Sequence, residues 1–146
     1  MDKPFYDFTI LEDAYRYEFL SIGLKEIPKV IIYQATDLPD FYSLILADVL
    51  HDGSLDVYSE SKNGDMEKVL STVIQTILAF LAHNPKAKVA FSGSTPHRTR
   101  LYGIILNKEI EKIHKSLAVL GLSDEGLIPF EKNQKYEGFV ILKKKR

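Results

Sequence analysis

The sequence predicts an α+β fold, a mainly antiparallel sheet of about five to seven strands with two helices packed on one face. Three observations carry that expectation. Aromatic and β-branched residues alternate at period two through 14–24 and 29–36, the mark of half-buried strands. Apolar residues recur at helical spacing in two later stretches, each with a single apolar stripe. Short turn-forming clusters separate the early segments, which suits antiparallel neighbours.

Taken in order, Phe5, Phe8 and Ile10 alternate in a lead-in that can pair onto a sheet. Over 14–24, Tyr15, Tyr17 and Phe19 alternate with Arg16, Glu18 and Leu20. Residues 23–28 turn the chain into a second strand, KVIIYQAT. After the loop 37–40, FYSLILADVL is almost continuously apolar, as a central strand buried on both faces would be. Asp52-Gly53 has hairpin chemistry and returns the chain as a fourth strand over 55–59. The polar run 61–65 can cap a helix. From Met66 the apolar residues Val69, Leu70, Val73, Ile74, Ile77, Leu78 and Leu81 share a wide face, and Pro85 bars continuation.

A short apolar strand, Val89-Ala90-Phe91, then leads through 92–95 into a second helix beginning at Pro96. On a helical wheel Tyr102, Leu106, Ile110, Ile113, Leu117 and Leu120 share one side, with Gly121 as C-cap. Asn107, Lys108, Glu111, Lys112, His114 and Lys115 take the other side; Glu109 falls on the apolar side without a reason. Residues 122–130 form a loop or short strand, 133–135 turn, and YEGFVILK is the last strand before a basic tail.

At 146 residues the chain is expected to be one domain, 1–146. It holds no cysteine, which excludes disulfides, thiol nucleophiles and cysteine zinc sites and fits a reducing compartment. A formal net charge of −1 provides no global attraction for nucleic acid or membrane. No signal-like start and no apolar run near the ~18–20 residues of a membrane span is present, so a soluble, cytoplasmic protein is expected. His51, His83, His97 and His114 show no ligand spacing, and neither metal nor cofactor is expected.

The functional lead is the turn 92–100, SGSTPHRTR. Ser or Thr as N-cap, Pro at the first helical position and Gly in the turn account for much of it as plain strand-to-helix chemistry. Yet His97, Arg98 and Arg100 put positive charge where the helix dipole is already positive. Hydroxyls of Ser94 and Thr95, unpaired N–H groups and two guanidiniums suit a phosphate, with Tyr102 one turn below Arg98. Neither a P-loop, a dinucleotide fingerprint nor a G-x-S-x-G elbow is present. Asp48, an acid inside an apolar strand, is the candidate internal partner if Arg98 is structural instead.

The run Phe91-Ser92-Gly93-Ser94-Thr95-Pro96-His97-Arg98-Thr99-Arg100-Leu101-Tyr102 resembles the signature of a family of small uncharacterised bacterial proteins. That family has a Gly-Ser/Asn-Thr-Pro-x-Arg-Thr-Arg-Leu-Tyr core, and its closing Tyr-Glu-x-Phe matches Tyr136, Glu137 and Phe139. The resemblance implies a single α+β domain over most of the chain and no established activity. The residues leave three functions open. One is a binding module for a phosphate-bearing ligand or nucleic-acid backbone, through Ser94, Thr95, His97, Arg98, Arg100 and Tyr102. Another is a phosphodiester-acting enzyme with His97 as acid/base. The third is a protein-interaction module, half of a small bacterial two-protein system, in which the arginines are structural. Oligomeric state is not legible.

Overall fold

The computed structural model describes residues 3–57, 63–113 and 115–144. Within them, strands β1 (Thr9–Leu11), β2 (Arg16–Ile22), β3 (Glu26–Ala35), β4 (Phe41–Val49) and β5 (Leu55–Asp56) come first. Helix α1 (Met66–His83), strand β6 (Lys88–Phe91) and helix α2 (Pro96–Ile113) follow, then β7 (Leu117–Ser123), β8 (Gly126–Pro129) and β9 (Gly138–Lys143). All nine described strands join one sheet in the order β1-β2-β3-β4-β6-β9-β7-β8, with β5 on β4.

The early strands form the antiparallel meander that period-two alternation predicts, with Tyr17 opposite Ile31 and Val30 opposite Ala47. The fold is α+β, but the sheet has more strands than the five to seven expected, and it is mixed. Helix α1 carries the chain back across the sheet, so β6 lies parallel to β4, Ser43 beside Ala90; a helical crossover is the ordinary route to a parallel pair. The extra strands are short or concealed. β1 and β5 fall where the lead-in and the fourth strand were expected, whereas most of β7 lies in what the wheel assigned to the second helix and β8 in the stretch 122–130 left open as loop or short strand.

Helix α2 ends at Ile113, and 117–123 is a strand rather than a helix end. Leu117, Val119 and Gly121 face the core at period two, while Leu117 and Leu120 also fit a helical stripe, so both periods match locally. Long-range pairing with β9, from Leu117–Lys143 to Leu122–Gly138, decides between them. Gly121 is therefore no C-cap; the ring of Tyr136 lies where its Cβ would be, 2.3 Å away. Glu109 acquires a partner, Lys112 at 3.8 Å. The last strand begins at Gly138, later than expected. The fourth strand is described only as Leu55–Asp56; its expected continuation at 58–59, the capping residues 61–62, His114 and the end of the basic tail lie outside the described residues.

Both helices cover one face. Phe80 of α1 stacks on Tyr33 at 4.1 Å and meets Tyr42 edge-on. From α2, Tyr102 packs edge-on against Phe91, and Gly103 sits on Phe139. Register places Tyr33, Tyr42, Phe91 and Phe139 on the same side of the sheet. Among the described residues, no helix is long and apolar enough to cross a membrane.

Candidate functional site

β6 is pinned between β4 and β9, so its C-terminal end delivers the chain at a fixed point beneath the start of α2. The turn that follows is held by Thr99, a residue whose part the sequence did not reveal. Its hydroxyl oxygen accepts from Gly93 N–H at 2.9 Å and donates to the Thr95 carbonyl at 3.2 Å. The available signal was a Thr four residues after the N-cap, where its hydroxyl bonds back along the helix. Gly93 is required for the same closeness: a Cβ there would lie 2.4 Å from Thr99 N and 2.5 Å from Arg98 Cβ.

Thr95 is the N-cap, as its residue type foretold. Its Oγ1 accepts from the Arg98 N–H at 3.2 Å, the third helical position. Pro96 has no N–H to satisfy. The N–H groups of Ser94, Thr95 and His97 have no acceptor among the described residues. The hydroxyl-bearing Ser94, the His97 ring and Arg100 are exposed, whereas Thr95 and Arg98 are half-buried.

Tyr102 is separated from this outer layer. It is 2% exposed, its ring packs against Phe91, and burial holds its hydroxyl pKa well above that of a free tyrosine, an effect the nearby Arg98 guanidinium partly offsets. It stands one helical turn after Arg98, in the core rather than in the outer layer.

Asp48 is not the partner of Arg98. It faces Lys29 directly across β3 and β4, and the two form a buried ion pair, 5% and 6% exposed. Asp48 and Lys29 lie at the end of β4 far from β6, so the sequence placed an acid correctly inside the strand but assigned it the wrong cation. Among the described residues, no carboxylate lies within 4.0 Å of Arg98 or Arg100. No group of His, Asp and Glu side chains able to hold a metal occurs among them either.

The turn therefore offers free amides, the Ser94 and Thr95 hydroxyls and the Arg98 guanidinium, with Arg100 two helical positions on and turned about 200° from it, and no counter-charge to either arginine among the described residues. A family model matches residues 2–144, nearly the whole chain. The chain belongs to DUF6934, a family of unknown function. No curated protein and no solved structure matches this DUF6934 member. Membership in DUF6934 thus brings no activity with it.

Proposed function

We propose that the chain is a cytoplasmic binding module that takes a phosphate-bearing ligand or nucleic-acid backbone at the turn 92–100. One observation carries this reading: Arg98 and Arg100 stand on the first turn of α2 with no carboxylate within 4.0 Å among the described residues. Positive charge at a helix N-terminus opposes the dipole, so a bound anion relieves both. The free N–H groups of Ser94, Thr95 and His97 supply short donors, and guanidiniums supply planar, charge-assisted ones. His97 has no hydrogen-bonded carboxylate among the described residues, which favours binding over acid/base catalysis at this turn.

The experiment is a titration of the isotope-labelled chain with inorganic phosphate and, separately, a short oligonucleotide. Amide resonances of Gly93, Ser94, Thr95, His97 and Arg98 are expected to move, and melting temperature to rise, because a ligand that binds only the folded chain stabilises it. Arg98→Ala and Arg100→Ala should each weaken binding, and added salt should weaken it further. A response to the oligonucleotide alone would make the ligand a polyanion. Amides that stay in place at about 10 mM phosphate, a concentration that populates even millimolar sites, and under the oligonucleotide, would refute the anion site.

A further inference from the structure

The sheet's second face is as informative as the turn, and the inference from it does not rest on the anion reading. Both helices lie over Tyr33, Phe91 and Phe139. Register points the alternate residues, among them Ile45, Ala90, Leu120, Leu122 and Leu127, away from the helices. An antiparallel sheet with one wet face places polar residues at such positions. From β4 across to β8 they are mostly apolar, with Leu122 39% and Leu127 47% exposed. Leu122, Leu127 and Phe41 line a groove of about 370 Å³ on this face. No described helix or strand covers it. A contiguous apolar surface of this kind marks an interface.

The charges on the face identify what fits it. Lys88, exposed, points outward beside Phe41 at the start of β4. Glu26, also exposed, points outward at the opposite end, where β3 begins and β4 finishes. Glu137 lines the groove next to Gly138, on that same acidic side. Between the ends, Arg16 and Glu18 neutralise each other at 2.9 Å. The face is thus basic at one end, acidic at the other and aliphatic in the middle.

A two-fold axis lying in the plane of the contact and running across the strands turns the face onto itself with its ends exchanged. Lys88 of one copy then meets Glu137 of the other, on the neighbouring strand position, while the aliphatic centres pack sheet on sheet. Nucleic acid or an anionic membrane would meet the acidic end instead and requires a uniformly basic surface. Edge-to-edge pairing is blocked at both margins: β1 is 3 residues long, and β8 ends at Pro129. We infer that the helix-free face is a homodimer interface, joined by a second copy of this chain in the end-exchanged orientation.

Sedimentation of the intact chain over a concentration series tests this. The wild type is expected to dimerise. Leu122→Glu and Leu127→Glu, both at exposed positions that a monomer tolerates, should weaken the dimer at least about tenfold in Kd, with circular dichroism unchanged. Lys88→Glu alone and Glu137→Lys alone should each weaken it, and the double variant should recover it, because exchanged charges again oppose each other. Since the chain has no cysteine, a spin label at Ser43→Cys reports one distance, which should be short in the dimer. A wild type that stays monomeric to about 1 mM, the weak limit for a specific complex, overturns the inference. So does a dimer indifferent to Leu122→Glu and Leu127→Glu, or charge variants that are additive rather than mutually rescuing.

Discussion

Tyr17 is 0% exposed, and its hydroxyl has no hydrogen-bond partner among the described residues. Its ring is well used, edge-on to both Phe8 and Tyr33, so the aromatic surface stabilises while the oxygen costs. A buried polar atom left unpaired costs about 1–3 kcal/mol, and Tyr17→Phe is expected to raise stability at neutral pH by about 1 kcal/mol. The urea midpoint checks this; an unchanged or lower midpoint would mean that the hydroxyl is satisfied. Burial also pushes the Tyr17 pKa up to about 12, against about 10 in an unfolded chain. Tyrosine is neutral when protonated, so a raised folded pKa gives stability that is complete below pH ~10 and lost as pH climbs towards ~12. Tyr33 and Tyr102 are shifted in the same direction by burial. Alkaline unfolding should begin near pH 10, and Tyr17→Phe should move it upward. None of this was visible in the sequence, where Tyr17 is simply one of three alternating aromatics. Alternation identifies the face a side chain takes but not whether its polar end finds a partner there.

Elements were legible where one period dominated. The stripe from Val69 to Leu81 marks α1 because seven apolar residues repeat at helical spacing and a proline follows. The strand, turn and helix around Gly93 and Pro96 were legible because each junction carries its own chemistry: an N-cap, a first-position proline and a glycine. The candidate site was visible to the same extent. Its cap and its arginines follow from residue type, whereas the Thr99 clasp and the Lys29–Asp48 pairing depend on what other strands bring near. Legibility failed at 114–123, where two periods coincide and only the distant β9 discriminates. Gly121 tests the strand assignment. In β7, Gly121→Ala drives a methyl into the Tyr136 ring, an overpacking that should cost about 1–3 kcal/mol. Tyr136→Leu should relieve much of that, so the double variant would lose less than the two single losses added. A cost independent of residue 136 would point instead to backbone conformation at Gly121 and argue against the strand contact.

At the scale of the molecule, the sheet divides at the β4–β6 seam. The antiparallel meander β1–β5 lies on one side, and β6–β9 on the other. Only Phe41, Tyr42 and Ser43 pair across the seam. Such a narrow junction invites the view that the two halves unfold separately, yet the helical layer argues otherwise. α1 stacks Phe80 on Tyr33 of the first half and also touches β9 of the second. α2 packs on Phe91 and Phe139, and Lys108 reaches Glu67 of α1 at 2.5 Å. The surface ion pair adds little, but the buried contacts commit α1 to both halves. Loss of either half would expose Phe80, Leu81 and Ile77, all of them fully buried. The expected behaviour is therefore one cooperative unit with a single unfolding transition. Native-state hydrogen exchange measures it directly: amides of Ile31 and Ile32 in β3 and of Val140 and Ile141 in β9 should exchange at the same free energy, that of global unfolding. Protection in β9 that is lower by more than about 2 kcal/mol, with β3 unaffected, would reveal a separable C-terminal foldon. The anion site would then rest on the less stable half, since β6 and α2 belong to it, and phosphate would raise the protection of β9 before that of β3.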